Sequence, residues 1–358
     1  MLSAWVLLPA VTAPGNDGLA AKVAESARDH GLGFVVTGLE ALQSRLSPPS
    51  VGGKLDVQGE RALAVGAGSS PAPAVPRSTV TSAAVRLQPP IDPVVTPALR
   101  GEGNFVARVV VNGQPAVQTA LLRPDASHTS YLAGVAWMST KLLRVEQHPG
   151  ASDPGQLARW STPPTVPPAD RARLAATFNS GFKTYSSRGA YYQNGHQVGS
   201  LRSGAASLVI LKNGTATVGE WGRDVSMNRQ VASVRQNLGL LVDGGKLVPN
   251  LNASVQSAWG ATLGAATSTW RSGAGVTAYG DLVYVAGDAL SAKTLAVLLQ
   301  RAGAIRAMEL DINRSWISFM WYSHTASAAT PHKLVDFRRP ADRYFTVNSR
   351  DFFAVYAR

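Results

Sequence analysis

The sequence contains no cysteine in its 358 residues. Disulfide bonds and thiolate metal sites are therefore excluded, and stability must come from packing and hydrogen bonds. The six histidines show neither an HExxH motif nor paired metal-ligand spacing, which disfavours a histidine-built zinc site. A Walker loop and a GxSxG elbow are also missing, so P-loop nucleotide hydrolysis and α/β-hydrolase chemistry are not indicated. The sequence predicts no metal site and no cofactor.

Charged residues are few, at 16% of the chain, and they are unbalanced, with 34 lysines and arginines against 22 acidic residues. The resulting formal net charge of +12 favours acidic partners such as phosphate-bearing polymers, anionic lipid or nucleic acid. The basic residues are scattered, however, and Arg338-Arg339 is the densest pair in the C-terminal half. Because no basic stripe with interleaved aromatic residues is present, we predict no nucleic-acid partner. An ordinary soluble basic protein is the plain alternative.

The N-terminus has an apolar run at residues 4–13 but no basic residues before it. This run has the length of a signal-peptide hydrophobic region and is too short to span a bilayer. Three interpretations stay open: a signal peptide with its basic part upstream, a trimmed membrane anchor, or a buried strand.

Composition divides the chain into an N-terminal apolar and helical segment at 1–46, a linker and lead-in segment at 47–100, and one large domain at 101–358. Residues 66–76 read GAGSSPAPAVP and are too poor in large apolar side chains to fold alone. We therefore interpret residues 47–76 as a Pro/Gly-rich linker.

Within the large domain, alternating segments and turn signals predict a sheet made mostly of antiparallel hairpins. Asn112-Gly113 is the strongest turn signal, because both residues tolerate a positive φ. Ser291 and Gly303 bound one clear helix, which precedes a strand at 305–312. The predicted strands are 105–111, 116–122, 131–138, 142–147, 206–211, 215–220, 238–242 and 282–286. The predicted fold class is α+β, with a mostly antiparallel sheet and packed helices, preceded by the short helical segment and the linker.

The strand at 306–313 carries paired acids. Glu309, Asp311 and Asn313 alternate with apolar residues, which predicts that they share one face. Carboxylates two residues apart on a strand lie roughly 6.5–7 Å from each other, a separation that inverting glycosidases use. The aromatic residues that follow, from Trp316 to Tyr322, suit a sugar-binding cleft. The alternative interpretation is a solvated strand face beside core aromatics.

Three further segments, at 177–183, 199–204 and 270–277, each place a polar residue two positions before a glycine. Asn179 can bind a ligand or close an Asx-turn. Arg202 can clamp a phosphate or form a surface salt bridge. Arg271 lies among small residues that permit close backbone approach.

Taken together and in this order, these segments resemble the phosphodiester glycosidase family. The family's Asn-x-Gly-Phe motif is similar to residues 179–182, and its Arg-Thr/Ser-small-x-Gly motif to residues 271–275. Its closing helix resembles residues 295–302, and its Leu-Asp-Gly-Gly-Gly-Ser signature resembles residues 310–315. The resemblance covers about 119–313 and favours export, so we expect an extracytoplasmic protein that is secreted or anchored through its N-terminus.

The resemblance implies cleavage of a sugar from a phosphodiester-linked sugar-1-phosphate, with a cell-surface glycan as the expected substrate. Asp311 and Glu309 would flank the anomeric carbon, with Asp243 as the next candidate carboxylate. Arg271 and Arg202 would hold the phosphate, and Asn179 a sugar hydroxyl. The full set of candidates is Asp311, Glu309 and Asp243 for catalysis, and Asn179, Arg202, Arg271, Asn313, Arg314 and Trp316 for substrate binding.

One departure from the family pattern affects the expected activity. Ile312, Asn313 and Arg314 stand where the family has three glycines, so an anion-binding nest of backbone N–H groups is lost or reshaped. Asn313 and Arg314 could supply side-chain contacts instead, or the substrate differs, or activity is gone. The altered motif resembles that of an actinobacterial branch of the family. It also leaves open a non-catalytic cell-wall module that binds anionic glycan.

Overall fold

The computed structural model describes residues 48–68, 84–251, 259–260, 268–325 and 328–358, together with positions 11, 22, 23, 26 and 27. Apart from those isolated positions, the predicted N-terminal segment at 1–46 lies outside the described residues. Among the described residues, no helix has the length and apolar character needed to cross a membrane.

Strands dominate the described elements. The helices are α1 (Val57–Ala67), α2 (Thr184–Ser187) and α3 (Ala292–Arg301). The strands are β1 (Val106–Val111), β2 (Gln114–Leu122), β3 (Ala133–Met138), β4 (Leu143–His148), β5 (Leu174–Asn179), β6 (Tyr191–Gln193), β7 (His196–Val198), β8 (Ala206–Leu211), β9 (Ala216–Glu220), β10 (Val231–Gln236), β11 (Leu240–Asp243), β12 (Lys246–Leu247), β13 (Thr269–Thr277), β14 (Leu282–Leu290), β15 (Ala304–Glu309), β16 (Phe319–His324), β17 (Ala329–Lys333) and β18 (Phe352–Ala357).

The strands form three sheets. The large sheet has the order β1-β2-β3-β14-β13-β15-β11-β12, the β10 sheet has the order β7-β6-β10-β8-β9, and the β5 sheet has the order β17-β16-β5-β18-β4. Neighbouring strands pair antiparallel in each sheet, as between β13 and β14 or between β5 and β18. The expected mostly antiparallel architecture is therefore confirmed. Packed helices contribute less than expected, because α2 has four residues and α3 has ten.

The large sheet is covered on both faces because its side chains alternate across the pleat. On one face, Tyr284 and Met308 join a core shared with both smaller sheets. On the other face, Val283 and Val285 pack with the buried leucines of α3. The central strands consequently lack the apolar/polar alternation of a half-exposed strand.

Helix α3 forms as its sequence predicts. The Ser291 hydroxyl accepts a hydrogen bond from the Thr294 N–H at 3.0 Å and caps the helix. Gly303, with φ at 94°, follows its end. The helix connects β14 to β15, which lie on either side of β13, so it lies over the strands whose ends build the site.

The Asn112-Gly113 hairpin is confirmed, with φ of 51° and 73° at the two turn residues. The strand predicted at 305–312 is shorter, since β15 ends at Glu309. The sequence predictions omit several strands. Among them are β5 and β18, which are buried on both faces and show no alternation.

Part of the predicted linker at 47–76 is helical. Asp56 caps α1 by accepting a hydrogen bond from the Gly59 N–H at 2.7 Å, and Leu63 is only 3% exposed. A Cβ at Gly101 would clash with the Leu63 carbonyl, which shows how closely the helix approaches that turn. The linker interpretation is therefore wrong for 57–67, whereas the proposed division into domains stays a prediction.

Replacing Leu63 by Ala tests this docking. We expect the free energy of unfolding to fall by about 2–5 kcal/mol, because the change leaves a cavity at a buried position. Val65→Ala on the same helix is the control, since Val65 is 50% exposed and its change should be nearly neutral. Chemical denaturation measures both variants, and equal small effects would show that α1 is not docked.

Candidate functional site

A small pocket lies where the end of β5, the turn after β15 and the segment before β18 meet. It contains about 190 Å³ of empty space, part of which is open to solvent. Its lining residues are Asn179, Ser180, Gly181, Asp311, Trp316, Arg343, Tyr344, Arg350 and Asp351. Because its lining includes two arginines, two aspartates and a serine, the pocket suits a small charged or polar group.

Asp311 reaches this pocket because the ladder between β13 and β15 continues just beyond Glu309. The Ser272 N–H donates to the Asp311 carbonyl at 2.9 Å. The carboxylate then folds back, and its Oδ1 accepts from the Ile312 and Asn313 N–H groups at 2.7 and 2.9 Å. Its Oδ2 lies 3.4 Å from Arg350 Nη2. Burial raises the pKa of Asp311, and Arg350 and the two N–H groups oppose this shift.

Asn179 also lines the pocket, but its amide already bonds to other protein groups. Oδ1 accepts from the Tyr284 hydroxyl at 2.7 Å and from the Ser318 N–H at 3.1 Å. Nδ2 donates to the Ser180 carbonyl at 2.8 Å and to the Ser272 hydroxyl at 3.0 Å. Both donor hydrogens and both acceptor lone pairs are used. This geometry indicates a positioning role for Asn179 rather than the predicted contact to a sugar hydroxyl.

Arg271 and Glu309 form a separate buried ion pair. Arg271 Nη1 binds Glu309 Oε1, and their side chains are 5% and 0% exposed. Arg271 also donates to the carbonyls of Leu290 and Trp259 at 2.9 and 3.0 Å. Burial raises the pKa of Glu309, while Arg271 acts in the opposite direction. Neither residue lines the pocket.

Two-residue alternation predicts that Glu309 and Asp311 share one face of the strand, but in the structure the two carboxylates lie in different places. Asp311 borders the pocket beside Arg350, whereas Glu309 pairs with Arg271. The solvated-face alternative is wrong, because Glu309 is 1% and Asp311 3% exposed. Alternation fails here because β15 ends between them, and the Asp311 carboxylate turns back to its own backbone.

Two predicted residues lie away from the pocket. The Asp243 carboxylate is 37% exposed and pairs with Arg223 at 2.9 Å. It follows Val242, which is opposite Ala307, so it lies toward the start of β15, away from Asp311. Arg202 donates to the Ser187 carbonyl at 3.1 Å and does not line the pocket.

Residues 312–314, which the motif resemblance aligns with three glycines, form a turn held by side chains. Asn313 Oδ1 accepts from the Ser315 N–H at 2.9 Å, and the Asn313 carbonyl accepts from the Trp316 N–H at 2.8 Å. Arg314 is exposed. Trp316 lies beyond the turn, is 4% exposed and lines the pocket. Asn313 therefore shapes the turn, which places Trp316 against the pocket.

The other aromatics of this region are mainly structural. Phe319 and Tyr322 are fully buried in the core, as the alternative interpretation expects. Trp321 stacks on His332 with ring centroids 4.0 Å apart. Of the predicted aromatic cluster, Trp316 is the one that lines the pocket.

Sequence reasoning missed the charged residues supplied by the C-terminal segment. Arg350 and Asp351 border the pocket, and Asp351 Oδ2 accepts from Arg235 Nε at 2.7 Å. Arg343 comes from a 3-10 turn at 343–345. The one available signal was the charged pair Arg350-Asp351 directly before the apolar run at 352–357. Within the described part of the chain, no group of three histidine or acidic residues is arranged to hold a metal ion.

A family model described as phosphodiester glycosidase matches residues 172–311. The family resemblance is thereby confirmed. The matched residues begin just before β5 and end on Asp311, so they include Asn179, Arg271 and Glu309. Arg343 and Arg350 lie beyond them.

Solved structures with similarity to the chain include three from different organisms. The catalytic domain of zebrafish N-acetylglucosamine-1-phosphodiester alpha-N-acetylglucosaminidase, auto-inhibited by its pro-peptide, is 15% identical, with 71% of this chain and 88% of that chain covered and a TM-score of 0.46. A hypothetical protein from Synechocystis is 14% identical, with 69% of this chain and 63% of that chain covered and a TM-score of 0.37. A protein from Burkholderia pseudomallei is 11% identical, with 63% of this chain and 74% of that chain covered and a TM-score of 0.29. No curated protein sequence matches significantly.

The buried ion pair generates a stability prediction. Glu309→Gln leaves the Arg271 guanidinium without its buried counter-charge, so we expect a loss of about 3–5 kcal/mol in the free energy of unfolding. Asp243→Asn is the comparison, because it breaks an exposed pair and should have little effect. Urea denaturation distinguishes them. A mild effect of Glu309→Gln would mean that Glu309 is not a structural partner of Arg271.

Proposed function

We propose that this protein hydrolyses the bond between a sugar anomeric carbon and a phosphodiester, in a sugar-1-phosphate-containing glycan of the cell surface. The observation that carries the proposal is the place of Asp311. It closes the segment matched by the phosphodiester glycosidase family, and it borders a pocket also lined by two buried arginines, Arg343 and Arg350. The net charge of +12 favours an anionic polymer as substrate. The proposed location is extracytoplasmic, on the basis of the apolar run at residues 4–13 and the family resemblance.

In this reaction the bond between C1 of the sugar and the phosphate oxygen breaks, and its electron pair leaves with the phosphate. The oxygen of a water molecule bonds to C1, and a proton of that water is released. The leaving group is a phosphate monoester, whose second pKa is about 6, so it can leave without being protonated. One carboxylate and a cationic phosphate pocket are therefore sufficient, and Glu309 need not reach the substrate.

Asp311 supplies the negative charge that this step requires. Positive charge develops at the anomeric carbon in an oxocarbenium-like transition state, and a buried carboxylate beside it stabilises that charge. The same carboxylate accepts the proton of the attacking water. Its Oδ1 is held by two N–H groups, whereas its Oδ2 has only the 3.4 Å contact to Arg350. Oδ2 is therefore the oxygen we assign to the reaction.

Non-catalytic binding of an anionic glycan is the alternative function. It is favoured by the replacement of the family's three glycines and by the use of Asp311 Oδ1 to hold the resulting turn. In that case Asp311 would shape the pocket without acting on the ligand.

Replacing Asp311 by Asn separates the two functions. Because positioned acid–base groups contribute about a hundredfold to ten-thousandfold in rate, we expect sugar release from sugar-1-phosphodiesters to fall by that factor. Asp281→Asn is the control, since Asp281 is a buried carboxylate outside the pocket. If the wild-type protein binds anionic glycan but releases no sugar from any diester, and Asp311→Asn binds equally well, the binding module is correct.

The pH dependence gives an independent test of Asp311. The ionised form of Asp311 is the active one, so kcat/KM should fall as the pH decreases and Asp311 becomes protonated. Because burial raises the pKa of Asp311, this fall should begin at a pH above the ordinary aspartate pKa of about 3.9. The charge of Arg350 lowers the pKa of Asp311. Arg350→Gln should therefore move the acidic limb of the pH profile to higher pH. A limb that stays in place or moves to lower pH would contradict the assignment.

A further inference from the structure

We infer that Arg343, Arg350 and Ser180 form a subsite for one phosphate group, at the wall made by Trp316. This inference rests on the proposed function only for the identity of the ligand, and it assigns the phosphate to residues other than the predicted Arg271 and Arg202. All three residues line the pocket described above.

Arg343 is a buried cation without a carboxylate partner among the described residues. It is 3% exposed, and Nη1 donates to the Trp316 carbonyl and to the Ser318 hydroxyl at 3.2 and 3.3 Å. Its Nε donates to Asn348 Oδ1 at 3.3 Å. These partners are all neutral, whereas buried charges in proteins are normally paired. An anion in the pocket would provide the missing counter-charge.

Arg350 is held loosely by its acidic neighbours. Its Nη2 donates to the Gly181 carbonyl at 2.8 Å, but it lies 3.4 Å from Asp311 Oδ2. Its Nε lies 3.7 Å from Asp153 Oδ2 and, among the described residues, makes no hydrogen bond. Charge-assisted hydrogen bonds are usually about 2.7–2.9 Å long. Arg350 therefore keeps donor capacity for a ligand.

Ser180 supplies the third donor. Its side-chain oxygen is buried, lines the same pocket and has no hydrogen-bond partner in the described part of the chain. An unsatisfied buried hydroxyl is unfavourable in the free protein, and a phosphate oxygen would satisfy it. The guanidinium carbons of Arg343 and Arg350 lie 5.6 and 5.2 Å from the Trp316 ring centroid. The ring thus holds both cations at one wall of the pocket.

The acidic residues of the pocket limit which phosphate compounds fit. Asp311 and Asp351 also line it, so a multiply charged phosphate meets repulsion whether it is free or in a monoester, and the singly charged phosphate of a diester meets less. Asp351 Oδ2 is bound by Arg235, but its Oδ1 has no donor among the described residues. A hydroxyl adjacent to the bound phosphate would provide that donor. A sugar phosphate that carries such a hydroxyl is therefore better matched to the pocket than inorganic phosphate.

Calorimetric binding of inorganic phosphate and of N-acetylglucosamine 1-phosphate to the full chain tests this subsite. We expect both to bind, the sugar phosphate more tightly. Arg343→Lys and Arg350→Lys lose the guanidinium geometry and should weaken both by about tenfold to a hundredfold. Arg171→Lys is the matched control and should bind as the wild type does. Arg171 lies over the Phe345 ring at 4.0 Å and donates to the carbonyls of Val166 and Phe345, outside the pocket.

Two further variants keep the test decisive if an arginine variant does not fold. Ser180→Ala removes a hydroxyl without a partner, so it should fold normally and yet weaken phosphate binding. Asp311→Asn removes a negative charge beside Arg350, so it should bind phosphate at least as well as the wild type while sugar release is lost. The subsite is overturned if wild-type protein binds neither ligand at millimolar concentration, or if Arg343→Lys or Ser180→Ala binds as tightly as wild type. Phosphate binding without sugar release from any diester would instead overturn the proposed function and leave the subsite in place.

Discussion

The side-chain amide of Asn179 is the contact on which the architecture of the site depends. It joins the end of β5 to β13 through Ser272, to β14 through Tyr284, and to the segment before β16 through Ser318. Ser272 in turn bonds to the backbone on both sides of Asp311. Because every donor and acceptor of this buried amide is used, loss of any partner would leave a buried polar group unsatisfied. The amide thus fixes how the β5 sheet meets the large sheet at the pocket.

Burial gives the two acids of the 309–311 segment different environments. Taking a carboxylate out of water costs several kcal/mol, which a close, well-oriented cation can offset. Glu309 has such a cation in Arg271, which also bonds to two backbone carbonyls and therefore cannot turn easily toward a ligand. Asp311 has only the longer contact to Arg350 and two backbone N–H groups. Asp311, and not Glu309, is the carboxylate that borders the pocket, so it is the one that a substrate could reach.

The pocket is lined by residues from inside and from outside the segment that the family model matches. Asn179, Ser180 and Asp311 lie within the matched residues 172–311, whereas Trp316, Arg343 and Arg350 lie beyond them. The turn at 312–314 lacks the glycines that would bring backbone N–H groups to an anion. The guanidinium groups of the C-terminal segment place positive charge in the same region. The proposed phosphate subsite would therefore be built from side chains.

Local sequence signals determined the hairpin at Asn112-Gly113, the capped helix α3, the antiparallel character of the sheets and the order of the family motifs. Each of these follows from residues within a few positions of one another, through φ preferences, capping hydrogen bonds and side-chain alternation. Strands β5 and β18 could not be predicted from alternation, because burial on both faces removes it. Helix α1 was hidden in a segment rich in glycine and proline, and its docking depends on the distant turn at Gly101. Only the tertiary structure decided that Glu309 pairs with Arg271, that Asp243 lies on the surface, and that Arg343 and Arg350 join Asp311. The physical reason is that partners for buried charges come from strands and turns far apart in sequence, and which of them meet is set by how the sheets pack.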